Sequence, residues 1–181
     1  MREHTVQSIV TSAVLYPFIG ENAVAFGLSV IFIDIDHVID YVRQTRSLKV
    51  FGVFPYCKIL LNAMKKNGFL VLNIFHTVEF FLLIAILGLL NPVFFYMLAG
   101  MLCHIALDVY QLSRSDIVFF RAFSVIEFFI RARNGTYITS FAKLLQRDDV
   151  DFSGVKHFGF WLSHWKDTNA HLRIKHDHMA Q

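Results

Sequence analysis

The chain has 181 residues, enough for one compact domain, and 55% of them are hydrophobic, with a mean hydropathy of +0.49. Twenty Phe and only 17% charged residues exceed what a water-exposed surface accommodates, which excludes an ordinary soluble domain and points to lipid. The formal net charge of +3 is modest, so its placement along the chain matters more than its size, and no nucleic-acid partner is expected.

Val6 to Ile19 is mostly apolar and ends at Gly20-Glu21-Asn22. Ala23 to Ile33 then runs apolar into the acidic segment Asp34-Ile35-Asp36-His37. These stretches predict two short antiparallel helices, the first retained because no small-residue cleavage site follows the N-terminus. From Tyr41 to Asn67, basic residues such as Arg43, Arg46, Lys49 and Lys58 alternate with Phe51, Phe54, Ile59 and Leu60. That pattern suits a helix lying on a membrane surface. Gly68 to Leu90 is long enough to span a bilayer with some tilt, and Asn91-Pro92 breaks it before a further span over Val93 to Leu112. Asp116 to Arg131 is aromatic-rich but carries Arg121, Glu127 and Arg131, which predicts an interfacial or re-entrant helix rather than a fifth span.

The expected fold is therefore an all-α integral membrane protein: a four-helix transmembrane bundle with interfacial amphipathic helices and a short cytoplasmic C-terminal tail. Residues 1–134 form the transmembrane helical domain and residues 135–181 the tail. With four spans, all 17 Lys and Arg fall on one side, and the positive-inside rule makes that side the cytoplasm. A multi-pass protein of the plasma (inner) membrane follows, with both termini cytoplasmic. Cys57 and Cys103 lie far apart in apolar contexts, which suits reduced buried thiols.

Polar residues interrupt these apolar segments in four groups: His4; Asp34, Asp36, His37 and Asp40; His76 with Glu79; and His104 with Asp108. At about 1.5 Å of rise per residue, each group falls roughly 20 Å from the non-cytoplasmic turns, so all four helices deliver ligand-type side chains at one level. His76 and Glu79 at i, i+3, and His104 and Asp108 at i, i+4, would each share a helix face. An ionisable residue at mid-span costs about 2.5–3.5 kcal/mol on insertion scales unless it has a partner. Five carboxylates and three imidazoles lie inside the expected helices with no Lys or Arg among them, so their compensation must come from a bound cation. Mixed imidazole and carboxylate donors suit one or two divalent transition-metal ions, zinc first, with manganese or iron also accommodated.

Taken singly, each residue has a plainer role. His76 or His104 alone would suit a hydrogen-bonded core histidine, and Asp40 a surface residue near a helix end. Asp34 could hold His37 from behind rather than bind metal, and Glu79 could be a base, a ligand or a structural acceptor. The tail histidines His157, His164 and His171, with Trp161 and Trp165 between them, suit an amphipathic interfacial helix. A second metal site or a lid there is the alternative, and His176-Asp177-His178 could bind metal adventitiously.

The N-terminal histidine, Asp34-Ile35-Asp36-His37 after a short apolar helix, the His76-Thr77 step, and Gly100-Met101-Leu102-Cys103-His104-Ile105-Ala106-Leu107-Asp108 together resemble the inner-membrane metal-dependent hydrolase family, also described as LexA-binding inner-membrane-associated hydrolases. The likeness covers residues 1 to 112. It implies a membrane hydrolase whose metal is held by His4, Asp34, Asp36, His37, His76, His104 and Asp108. Two positions depart from the family pattern: Ile33 stands where the family often has Pro, and Asn73-Ile74-Phe75 where it often has a further histidine. Glu79 would stand in for that missing ligand.

The expected activity is hydrolysis of a lipid or lipid-linked phosphoester, ester or amide from the cytoplasmic side. Glu79 or Asp40 would take the proton of the attacking water, and Arg43, Arg46 and Arg114 would steer an anionic headgroup. The competing expectations are a di-iron membrane oxygenase or desaturase, although repeated HxxH clusters are absent, a metal transporter or sensor, and a non-enzymatic membrane adaptor. A homo-oligomer is compatible with each.

Overall fold

A computed structural model of the chain describes residues 2–45 and 47–144, with the side chains of residues 2–5, 50, 65 and 142 outside that description. The expectations for the tail histidines and tryptophans lie outside the described residues. The protein is mostly helical. Helices α1 (Arg2–Ile19) and α2 (Asn22–Phe32) form a hairpin, closed at Gly20 with φ +58, a left-handed conformation that glycine adopts without a Cβ penalty. A turn at Ile33-Asp34 leads into α3 (Ile35–Thr45), and α4 (Val53–Asn67) ends on Gly68, left-handed at φ +64. After a short extended and 3-10 segment come α5 (Val78–Leu90), α6 (Val93–Arg114), α7 (Val125–Arg133) and the single turn α8 (Phe141–Leu144).

Helix α2 packs between α1 and α6, and α5 lies against α6. Small residues bring these helices close. A Cβ on Gly27 would collide with the Ser12 hydroxyl, and one on Gly100 would collide with Ser29 and with the backbone carbonyl of Phe26. The Ser8 hydroxyl donates to the carbonyl of Gly27 across the same interface, at 2.7 Å. Close approach through Gly and Ser is the packing mode of helices that gain nothing from burying apolar surface against lipid.

Two apolar clusters flank the α2–α3 junction. Ile33, Ile84 and Met101 meet where α2, α5 and α6 converge. Tyr41, Tyr56, Ile59, Phe69 and Phe141 form the larger cluster around α4. Much apolar surface faces outward, including Val6, Ile9, Val14 and Phe18 of α1 and Leu82, Ile86, Leu89 and Leu90 of α5. Two helical stretches, Asn22–Thr45 and Val93–Arg114, are long and apolar enough to cross a membrane. Val6–Ile19 and Val78–Leu90 are shorter apolar helices.

Three expectations are corrected. Gly68–Leu90 is not one helix, because Val71–Leu72 is a strand, β1, and helix begins only at Val78. A short apolar run has no periodicity to separate strand from buried helix, and here Gly68, Asn73 and the extended Thr77 (φ −94, ψ 152) break the helix. Asp116–Arg131 is likewise divided. Arg121–Ala122 is a second strand, β2, paired in parallel with β1 in the register Val71 to Arg121, and Ser124 caps α7 by accepting from Ile126 and Glu127. Finally, the Tyr41–Asn67 stretch is not one surface helix: α3 ends at Thr45, and α4 buries Val53, Tyr56, Ile59, Leu60, Ala63 and Met64 in the core. Beyond residue 134 the chain returns to this body, with Ile138 bridged to Phe69 and Phe141 and Leu144 fully buried.

The α2–α6 contact sets the spacing of the site, so Gly100→Val is expected to destabilise the protein by about 1–3 kcal/mol, the usual cost of overpacking. Thermal unfolding in detergent measures this. An unchanged midpoint would mean that α2 and α6 are not held at this distance.

Candidate metal centre

Five side chains from three segments converge where α2 meets α3. Asp34 and His37 come from that junction, His76 from the 3-10 turn Ile74–His76 before α5, and His104 and Asp108 from successive turns of α6. His104 Nε2 lies 3.3 Å from Asp34 Oδ1 and 3.5 Å from Asp108 Oδ1. His76 Nε2 lies 3.6 Å from Asp108 Oδ2, and His37 Nε2 3.6 Å from Asp34 Oδ1. Two overlapping groups, Asp34·His37·His76 and His76·His104·Asp108, each bring their donor atoms within 4.8 Å of one another and could hold a metal ion.

The far nitrogens of two rings are already engaged. His76 Nδ1 contacts Asp36 Oδ2 at 2.8 Å, and His104 Nδ1 contacts the Val30 carbonyl at 2.9 Å. Both partners are acceptors, so each ring carries its proton on Nδ1 and turns the Nε2 lone pair inward. A carboxylate or carbonyl behind an imidazole is the arrangement that fixes tautomer and orientation in metal ligands. His76 Nε2 is fully buried and makes no hydrogen bond among the described residues. A buried acceptor facing carboxylates in this way marks a position that a cation would fill.

Asp36 therefore sits behind His76, also accepting from the Phe75 amide at 3.2 Å, while Asp34 faces the centre. The expectation that no basic side chain reaches these carboxylates is corrected. Arg121, 4% exposed, donates from Nη1 to Asp108 Oδ2 at 2.6 Å. It comes from β2, outside the membrane-length helices, and the pairing of Val71 with Arg121 sets it beside the segment leading to His76. With neutral imidazoles, three carboxylates (Asp34, Asp36, Asp108) against one guanidinium leave two negative charges in this cluster, which suits a divalent cation.

The remaining predicted residues are not brought into the cluster. Asp40 accepts from Tyr56 at 2.5 Å and pairs with Arg43 at 2.7 Å. Burial and the Asp40 carboxylate hold the Tyr56 phenol far above its usual pKa, so it remains the donor. Glu79 caps α7, accepting from the Ser124 hydroxyl at 2.5 Å and from the Val125 amide at 3.1 Å. It does not share a helix face with His76, which precedes the extended Thr77. His4 lies on α1, with its side chain outside the described residues. Arg43 reaches Asp40, and Arg114 stacks on Tyr110 at 5.8 Å.

A cavity of about 390 Å³ opens beside the centre. Asp34, His37, Asp108 and Arg121 form its polar end, and Leu60 and Leu61 of α4 belong to its apolar wall. Cys57 lines it too. Burial pushes this thiol up to about 12, so it is a neutral wall group rather than a nucleophile. Both cysteines are free.

The chain is thus a mostly helical protein with membrane-length apolar helices and a buried Asp/His cluster able to hold a metal ion. No family model, curated protein or solved structure matches it.

Because Asp36 acts through His76, Asp36→Asn is expected to weaken metal binding about 10- to 100-fold without abolishing it, as measured by zinc titration against a competing chelator. Wild-type affinity in this variant would detach Asp36 from the centre. Glu79→Gln is expected to lower the unfolding temperature while leaving bound metal unchanged. Metal lost from that variant would place Glu79 among the ligands.

Proposed function

We propose that the protein is a membrane-embedded, metal-dependent hydrolase of the plasma (inner) membrane, working from the cytoplasmic side on a lipid or lipid-linked ester. The observation that carries this is the pair of inward-turned Nε2 atoms of His76 and His104 facing Asp108, each ring held from behind. Two histidines and one carboxylate on a cation make the ligand set of many catalytic zinc sites, which leave a coordination position open. Zinc is the first candidate, with manganese or iron the alternatives. Such an ion supplies a bound water of lowered pKa and stabilises charge developing on the attacked group.

His76, His104 and Asp108 would hold the ion. His37 and Asp34 flank it on the cavity side, 3.6 Å apart. Asp34 Oδ1 would accept the proton of the attacking water, and His37 would pass it to the leaving oxygen. Asp40 and Glu79, both bound elsewhere, are not needed for this. Asp36 and the Val30 carbonyl orient the two ligand rings, and Arg121 orients Asp108.

Membrane embedding is supported by the exposure of the apolar helices. Among the described residues only 17% of the apolar window of Val93–Arg114 is buried, against the mostly buried core helix of a soluble fold. The four-span topology takes α1 and α5 as the other two crossings. The 13 residues of α5 rise only about 20 Å against a hydrocarbon core of about 30 Å. The extended segment before α5 would complete that crossing, and such backbone is tolerated at depth when protein covers it. Phe69, Leu70, Val71 and Asn73 are all buried.

Metal analysis of the detergent-purified protein, paired with hydrolysis of p-nitrophenyl phosphate, bis-p-nitrophenyl phosphate and p-nitrophenyl acetate, tests this. One metal per chain is expected, lost in His104→Ala. His37→Ala should keep the metal and lose turnover by about 100-fold or more. A wild type without transition metal would overturn the proposal, and two ions per chain would move His37 and Asp34 into the ligand set.

A further inference from the structure

Arg121 uses only part of its hydrogen-bonding capacity. Nη1 binds Asp108, but Nε and Nη2 are buried and have no hydrogen-bond partner among the described residues. An unmet guanidinium donor is costly to bury, yet this one lines the cavity beside Asp34, His37 and Asp108. Lys58, exposed on α4, lines the same cavity, whose apolar wall includes Phe54, Leu61 and Met64. Asn73, 3% exposed, adds a buried Oδ1 without a hydrogen-bond partner among the described residues.

These groups define the occupant. A planar guanidinium with one edge free, Nε and Nη2, binds phosphate oxygens through paired hydrogen bonds, which neither a neutral ester nor an amide satisfies as well. We propose that Arg121 and Lys58 form a phosphoryl-binding subsite next to the metal centre, and that the substrate is a phosphate-bearing amphiphile whose apolar chain lies along α4. Asn73 Oδ1 would accept from a headgroup hydroxyl or a protonated phosphate oxygen. Arg121 is thus a substrate-binding residue as well as the partner of Asp108. The subsite deepens the hydrolase proposal and rests on it in one respect: Asp34 and Asp108 also face the cavity, so a bound cation is needed to offset their repulsion of an anion.

The test is calorimetric titration of the full-length protein in dodecyl maltoside with dihexanoyl phosphatidate, dihexanoylglycerol and inorganic phosphate, with metal content measured on the same samples. Phosphatidate is expected to bind about tenfold or more tighter than either of the others, the effect of charge-assisted hydrogen bonds combined with a buried chain. Arg121→Gln should weaken phosphatidate by about tenfold and Lys58→Gln by about twofold to fivefold, with dihexanoylglycerol unaffected by either. Lys58 is exposed, so its variant decides the matter even if Arg121→Gln fails to fold. Diglyceride binding as tightly as phosphatidate, or phosphatidate binding unchanged in the folded variants, would overturn the subsite. Inorganic phosphate binding as tightly as phosphatidate would overturn the lipid chain as the source of recognition. Absence of metal from the wild type would overturn the hydrolase proposal, whereas metal-loaded protein that fails to prefer phosphatidate would overturn the subsite alone.

Discussion

Charge burial organises this molecule. Asp34, Asp36 and Asp108 lie 13% exposed or less, in a chain with few ions to offer them, and apolar surroundings make each uncompensated carboxylate costly by several kcal/mol. Every segment around the α2–α3 junction contributes to that compensation. Phe75 supplies its amide and His76 its Nδ1–H to Asp36, Arg121 reaches Asp108 from β2, and the Nε2 atoms of three imidazoles join Asp34 and Asp108 around a position that a cation would fill. The two-residue parallel sheet, slight as secondary structure, matters because it holds Arg121 beside the His76 segment.

The same constraint explains the close packing of α1, α2 and α6. A cluster whose donor atoms must stay within a few ångströms of one another needs rigid supports. Gly27 and Gly100 let the helix backbones approach until hydroxyls and carbonyls touch. The Val30 carbonyl that orients His104 belongs to α2, so the α2–α6 spacing is also part of the ring's alignment. Stability and site geometry are therefore coupled through one helix interface.

Much of this was legible in the sequence. The apolar character of α1, α2 and α6 stands out, and the turns at Gly20 and Asn91-Pro92 delimit them. His37, His76, His104, Asp34 and Asp108 stood out because ionisable groups in apolar helices need partners. The segment before His76 is not legible in the sequence because a short apolar stretch fits strand and helix equally. Glu79 looked like a partner of His76 only on the assumption of one continuous helix, which Thr77 interrupts. In the sequence alone, Arg121 argues only against a fifth span. The signal available was its own cost: an arginine flanked by Phe119, Phe120, Ala122 and Phe123 also needs a buried partner, and Asp108 is that partner.

The central claim is that imidazole and carboxylate groups, without sulfur, hold a cation at this junction. X-ray absorption at the edge of the copurifying metal tests it most directly. The account predicts a shell of nitrogen and oxygen at about 2.0–2.2 Å with imidazole scattering. A sulfur shell near 2.3 Å, which would bring in the cavity's Cys57, or a shell without imidazole, would contradict it.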